Sequence, residues 1–108
     1  MTVIAVLTNL PDSETAFNLA RELVQLRLAA CVNVLAPVTS LYRWQGEDAE
    51  ATEYPLLIKS TRERYVELED AIRKRHPYSL PEIVAWRIEH GSAEYLRWVE
   101  VETAPARP

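Results

Sequence analysis

Hydrophobic positions change their period along the chain, and each change marks an element. Val3-Ile4-Ala5-Val6-Leu7 is an unbroken apolar run of strand length whose β-branched start predicts a strand buried on both faces, in mid-sheet. After Asn9-Leu10-Pro11, Asp12 or Ser13 offers an N-cap oxygen, and Glu14 falls in a first turn where the helix dipole favours a carboxylate. Ala16, Leu19, Ala20, Leu23 and Leu26 then recur at helical spacing, with Arg21, Glu22, Gln25 and Arg27 on other faces, predicting an amphipathic helix of about 16 residues. From Ala30 the period is two: Val32, Val34, Ala36 and Val38 alternate with Cys31, Asn33 and Leu35, and the strand resumes through Leu41-Tyr42-Arg43-Trp44. Pro37 interrupts it and belongs at a bulge or on an edge, because proline cannot donate to the ladder. Gln45-Gly46-Glu47-Asp48 reads as the turn, and a return strand with Tyr54, Leu56, Leu57 and Ile58 runs to Lys59, with Pro55 a second edge marker.

Thr61 offers a cap for a second helix with Tyr65, Leu68 and Ile72 as its inner stripe, ending near His76 because Pro77 biases its predecessor out of the α region. Residues 83–88 form a further strand with Val84, Trp86 and Ile88 on one face. Gly91 breaks it, Ser92 caps a short helix carrying Tyr95, Leu96, Trp98 and Val99, and residues 104–108 form a flexible tail after a single domain at 1–103. The order β-α-β-β-α-β plus a terminal helix predicts an α+β, ferredoxin-like sandwich. Right-handed crossovers then place the first and third strands in the middle, and Pro55 beyond the part of strand three that pairs with strand one. The hairpin arms span about 14 residues each against about 6 to 8 for the first and last strands, an overhang of about 20 Å. A lone ribbon is marginal in water, and this one carries Tyr42, Trp44 and Tyr54. The expected answer is an oligomer in which each hairpin completes a neighbour's sheet.

Composition narrows the function. The chain has 108 residues, 48% hydrophobic and 26% charged, which is one ordinary globular domain. Its single cysteine, Cys31, precludes an internal disulfide and suits a reducing compartment; with no apolar run of about 18 residues and no basic, signal-like start, the cytoplasm is expected and a membrane is not. A net charge of −4 argues against nucleic acid as partner. Ten of the twelve basic residues are Arg, which suits fixed ion pairs and equally suits GC-rich codon usage.

No Ser-His-Asp or Cys-His pair, glycine-rich phosphate loop or paired carboxylate in an apolar setting is visible, so no enzyme is expected. An RNA-recognition module of the same element order would carry aromatics on strands one and three, where this chain has aliphatic residues. Cys31, His76 and His90 are the soft or borderline metal ligands, and none lies at a helical spacing from another. Cys31, between Ala30 and Val32, reads as a small buried hydrophobe, with metal ligation the alternative. His76 reads first as a capping or packing residue, then as a metal ligand; His90 reads as a turn residue. Glu47, Asp48, Glu50 and Glu53 are a solvated run or a loose site for hard ions.

Five local patterns coincide in order and spacing: Leu28-Ala29-Ala30-Cys31-Val32-Asn33, Tyr42-x-Trp44-x-Gly46, Lys59-Ser60-Thr61, His76-Pro77-Tyr78-x-x-Pro81-Glu82 and Tyr95-Leu96-x-Trp98. In these, over nearly its whole length, the chain resembles the CutA family, the divalent-cation-tolerance proteins. The resemblance implies a ferredoxin-like protomer in a tight homotrimer, similar in architecture to the PII signalling proteins, cytoplasmic in bacteria, and a link to copper and other divalent metals. Members credited with a copper site pair a cysteine at the end of the first strand with two histidines before the His-Pro-Tyr proline. The matching positions here are Thr8, Arg75 and His76, so His76 alone is kept and the implied binding of copper or another divalent cation is weak, with none needed for folding. A second candidate site is a cleft between subunits, where Lys59, Tyr78 and Glu82 meet Tyr42 and Trp44 from a neighbour's hairpin, aromatic walls with a few polar groups as small-molecule pockets have. The plainer alternative makes Tyr42 and Trp44 interface anchors and pairs Lys59 with Glu53 or Glu82. That cleft keeps a PII-like signalling trimer, binding a small ligand, beside the metal role.

Overall fold

A computed structural model describes residues 1–105. Its elements are β1 (Val3–Leu10), α1 (Ser13–Gln25), β2 (Cys31–Val34), β3 (Val38–Trp44), β4 (Glu47–Thr61), α2 (Tyr65–Arg75), β5 (Val84–Arg87) and α3 (Ala93–Glu102), with a 3-10 turn at Arg62–Arg64 before α2. All strand pairs are antiparallel, in the order β2-β4-β1-β5, with β3 also on β4. The doubly apolar β1 is central, as its composition predicts.

Alternation divides the sheet into two faces. Ile4, Val6, Leu10, Leu56 and Ile58 point to one side and bury against Ala16, Leu19, Ala20 and Leu23 of α1 and Leu68, Ala71 and Ile72 of α2. Each large apolar side chain removed from water there contributes about 1.5–3 kcal/mol. Helix α1 begins where Asp12 Oδ1 accepts the Thr15 amide at 2.8 Å, and that bond holds the Asp12 carboxyl below its usual range. It is shorter than expected, 13 residues, because Arg27 turns left-handed at φ 60°. The Leu28 amide then bonds the Leu23 carbonyl at 3.0 Å and Arg27 the Val24 carbonyl at 3.0 Å, a Schellman stop that leaves Leu26 exposed. Thr61 does not cap by its side chain: its hydroxyl lies 3.5 Å from that of Thr103.

Helix α3 starts at the expected cap, Ser92 Oγ accepting from the Tyr95 amide, and lies across one end of the sheet's other face, where Thr61 meets Thr103 and Tyr95 meets Cys31. Of its four expected apolar residues only Val99 is fully buried. Arg27 fastens its far end, donating to the Val101 and Ala104 carbonyls at 3.1 Å each. Residues 106–108 of the expected tail lie outside the described residues. Among the described residues no helix is long and apolar enough to cross a membrane.

The first hairpin arm is two strands rather than one. Val34 faces Leu56 and Val38 faces Glu53, four steps along one arm against three along β4, so one extra residue bulges out at Leu35-Ala36-Pro37. Pro55 corrects the expectation made of it: it sits inside β4, opposite Asn9 of β1. Its carbonyl accepts the Leu35 amide at 2.9 Å, so its missing N–H points to the same side, into the break between β2 and β3. Two prolines therefore share one gap in the ladder, and neither removes a bond that regular pairing would have made. Past that gap, β3 and residues 47–53 of β4 form a ribbon with no third strand among the described residues, about 23 Å long for its seven pairs. Its turn is tighter than expected: Gln45 (φ 51°) and Gly46 (φ 82°) alone connect Trp44 to Glu47, a left-handed pair that matches the ribbon's twist.

Candidate functional site

The ribbon and the loop after α2 enclose a half-open cavity of about 780 Å³. Ser40, Tyr42 and Trp44 share one ribbon face by alternation and line it together with Leu41 and Glu53; Pro77, Tyr78, Ser79, Leu80 and Glu82 line it from the loop. Four of the five expected cleft residues thus meet inside one chain, whereas the sequence pattern brings Tyr42 and Trp44 from a neighbour. Lys59 is not among them. It pairs with Cys31, three pairs along from Val34–Leu56 at the gap, and donates to the Asn33 side chain across the strand pair, not to Glu53 or Glu82.

The loop is aimed by buried polar contacts. His76 ends α2 with its amide on the Ile72 carbonyl, then turns to extended geometry. Its buried ring donates from Nε2 to the Asn9 carbonyl at 2.7 Å and accepts the Tyr78 amide on Nδ1 at 3.2 Å. Burial pushes the imidazole below its ordinary pKa, against the smaller raising effects of the Asn9 bond and the Glu53 charge. The neutral ring with its proton on Nε2 is the form that satisfies both contacts. A metal ion at His76 would have to displace one of them. The other two positions of the implied copper set are no freer to ligate, since Arg75 is paired with Glu22 and Thr8 is a fully buried hydroxyl. Among the described residues no group of three or more Cys, His, Asp or Glu side chains stands ready to hold an ion.

Tyr78 packs against the His76 ring, centroids 4.8 Å apart and planes tilted by 50°, and donates its hydroxyl to Glu53 at 3.2 Å. Burial, then the Glu53 charge and hydrogen bond, then Tyr42 and Asp12, push its phenol up to about 12, so it stays a neutral donor. Asn9 donates its side-chain amide to Glu82 at 3.1 Å while its carbonyl holds His76, so one residue at the end of β1 steadies both sides of the loop. Sequence reasoning missed Asn9; a buried amide closing an apolar strand was the available signal. It also missed Glu53 as a cavity residue, which follows from its pairing with Val38 at the ribbon's base.

Cys31 departs from the buried-hydrophobe reading. It is half-exposed at the start of edge strand β2, with Tyr95 beside it, and that phenol is raised first by burial and then by the thiol.

Residues 4–102 match the model of the CutA1 divalent ion tolerance protein family. The divalent-cation tolerance protein CutA of Thermus thermophilus is 46% identical over 98 residues, covering 91% of this chain and 95% of that one. Its structure superposes with a TM-score of 0.92 over 94% of this chain and 99% of that one, at 44% identity. The human protein CutA is 38% identical over 101 residues, 94% of this chain, which spans only 56% of the human length. A structure from Archaeoglobus fulgidus, described as a periplasmic divalent cation tolerance protein CutA, has a TM-score of 0.91 at 32% identity over 94% of this chain and 99% of that one.

Proposed function

Since this chain belongs to the CutA1 divalent ion tolerance family, we propose that it serves tolerance or response to divalent metals, copper foremost, as a homotrimer of ferredoxin-like protomers without catalytic turnover. The observation that supports assembly is the bare ribbon. Trp44, Tyr42, Leu41 and Val38 are exposed along seven pairs that no third strand supports among the described residues. Such a ribbon is marginal alone and stable when its edge is used. A complementary edge exists on the same molecule: β5 is a short edge strand, exposed at all four residues, whose Arg87 lines a second hollow together with Arg62, Tyr65 and Trp86. Glu47 and Glu50 on the ribbon have the opposite charge, so a head-to-tail contact is electrostatically favoured and can close into a ring.

Metal binding, on this reading, is weak. His76 is the one candidate ligand kept from the family's copper set, and both its ring nitrogens are in use. The reading sets the protein in the cytoplasm, where a half-exposed lone thiol is stable; the Archaeoglobus relative's description makes cell fractionation the check. Copper titration of metal-free protein, with mass and stoichiometry per chain measured together, tests the whole proposal. Three chains and a dissociation constant weaker than micromolar support it. A single-chain mass, or tight binding that survives His76→Ala, overturns it.

A second reading is favoured by the cavity: a PII-like signalling trimer that takes a small ligand beside the ribbon. Its volume lies within the range of about 300–1,000 Å³ typical of ligand pockets. A melting-temperature shift with small ligands but not with copper supports this alternative.

A further inference from the structure

The sheet leaves β3 free along one outer edge and β5 along the other, and the two run antiparallel. A second copy's β3 added antiparallel to β5 therefore continues the sheet with the helix-bearing face on the same side in both chains. Backbone groups point outward at alternate residues. The two-residue turn makes Trp44 and Glu47 a pair that exchanges both bonds, so the outward residues of β3 are Thr39, Leu41 and Arg43. On β5 the Ile88 amide reaches the Val3 carbonyl, so Val84 and Trp86 bond inward and Ala85 and Arg87 face out. Either register that engages both outward residues of β5 with β3 sets Leu41 opposite Ala85 or Arg87.

The side chains at that joint are complementary. Leu41 is 76% exposed and lies on the helix-bearing side, because its partner Glu50 has the same parity along β4 as the core residues Leu56 and Ile58. On that side of β5 is a hollow of about 340 Å³, with Ile4 and Ala85 as its floor, Tyr65 and Val66 of α2 as its wall and Arg62 and Arg87 as its charges. Among the described residues Arg62, Arg87 and Glu50 have no ion-pair partner within the chain, whereas Arg43, next to Leu41 on its face, is already paired with Asp48. Glu47 is on the ribbon's other face, with Trp44.

We infer that the hollow beside β5 takes the Leu41 side chain of a second copy of this chain, with that copy's Glu50 set against Arg62 and Arg87. Resting on the assembly reading, this joint assigns the residues by which one copy recognises the next. The leucine leaves water for an apolar floor, the arginine stems cover it, and their guanidinium heads reach the carboxylate one strand further on. On the sheet's other face the same joint lays Trp86 beside Ser40 and Tyr42 of the neighbouring ribbon. The cavity that Ser40 and Tyr42 line thus gains a wall from the next chain and is finished only in the assembly.

The test is sedimentation of the full chain over a dilution series, with circular dichroism of each variant to show that the protomer is folded. Leu41 and Glu50 lie outside the helix-side core, so their substitution should spare the protomer. Leu41→Ala should weaken association by about tenfold or more. Glu50→Arg and Arg87→Glu should each do the same, and the double variant, which restores opposite charges, should associate about tenfold more tightly than either single one. Added salt should narrow the gap between the parent and the charge variants. Glu47→Arg, on the other ribbon face, should gain nothing from Arg87→Glu. An assembled parent whose mass ignores both Leu41→Ala and Glu50→Arg overturns this joint alone, as does a double variant no better than the single ones. A parent that stays a single copy overturns the assembly reading and the joint together.

Discussion

The imidazole of His76 and the main-chain carbonyl of Asn9 are joined by a 2.7 Å hydrogen bond that fastens the end of α2 to the end of β1. Through it the loop carrying Tyr78 and Glu82 takes its position over the ribbon. The bond requires a proton on Nε2, and the Tyr78 amide requires a lone pair on Nδ1, so protonation of the ring breaks the second contact.

A pH dependence follows, with a definite sign. Burial lowers the folded-state pKa of His76 below the unfolded value of about 6.5. The unfolded chain therefore binds the proton more readily, and the stability due to His76 is complete above about 6.5 and is lost as pH falls through that value toward the folded pKa. Chemical denaturation at a series of pH values should show this acid-side loss in the parent chain and a shallower one in His76→Ala. The variant should also be less stable at neutral pH by about 1–3 kcal/mol, the cost of leaving the Asn9 carbonyl or the Tyr78 amide unpaired. Equal pH profiles for the two proteins would refute the account.

Arg27 has two roles whose effects on stability oppose each other. Its left-handed backbone costs a non-glycine residue about 1–2 kcal/mol, while its guanidinium holds two carbonyls at the end of α3. Arg27→Ala keeps the backbone cost and loses both bonds, so it should be less stable by about 1 kcal/mol. Arg27→Gly loses the bonds but is relieved of the cost, and should lie near the parent. Thermal unfolding at one fixed protein concentration separates them; Gly melting below Ala would contradict this division of roles.

Much of this architecture was legible in the residues themselves, and the exceptions share a cause. Val3 to Leu7, the α1 stripe and the α2 stripe were readable because a buried face imposes its period on the sequence. The break at Pro37, the two-residue turn and the place of Pro55 were not, because each depends on register between strands, which no single segment encodes. The candidate site divides the same way. Tyr42, Trp44, Tyr78 and Glu82 stood out as chemistry on motif-bearing segments. Asn9 and Glu53 matter through what they touch across 67 and 25 positions of chain, and the partner of Lys59 within the chain, Asn33, is set by strand pairing that no single segment encodes.

At the ribbon's tip, Gly46 has φ 82° and open space around the position a Cβ would take. Gly46→Ala therefore meets no clash, and its cost is conformational only, about 1–2 kcal/mol. The helix-side core draws no residue from the turn, so the cost falls on ribbon order. Circular dichroism should be nearly unchanged while dissociation on dilution becomes easier. A large loss of secondary structure would show that the ribbon is integral to the core instead.

Trp44 offers the strictest separation of fold from assembly. It is 44% exposed in the single chain, on a ribbon held to the rest of the sheet only through β4, and it lies outside the cluster that forms the helix-side core. Removing it should leave the protomer's fold intact. At an interface, however, a buried aromatic anchor commonly carries about 2 kcal/mol or more, about a thirtyfold change in association. Trp44→Ala should thus lower the mass seen by sedimentation in the low micromolar range, with helix and strand content retained. An unchanged mass on dilution to nanomolar concentration would remove Trp44 from the interface, and a chain that unfolds on substitution would move it into the protomer's own core.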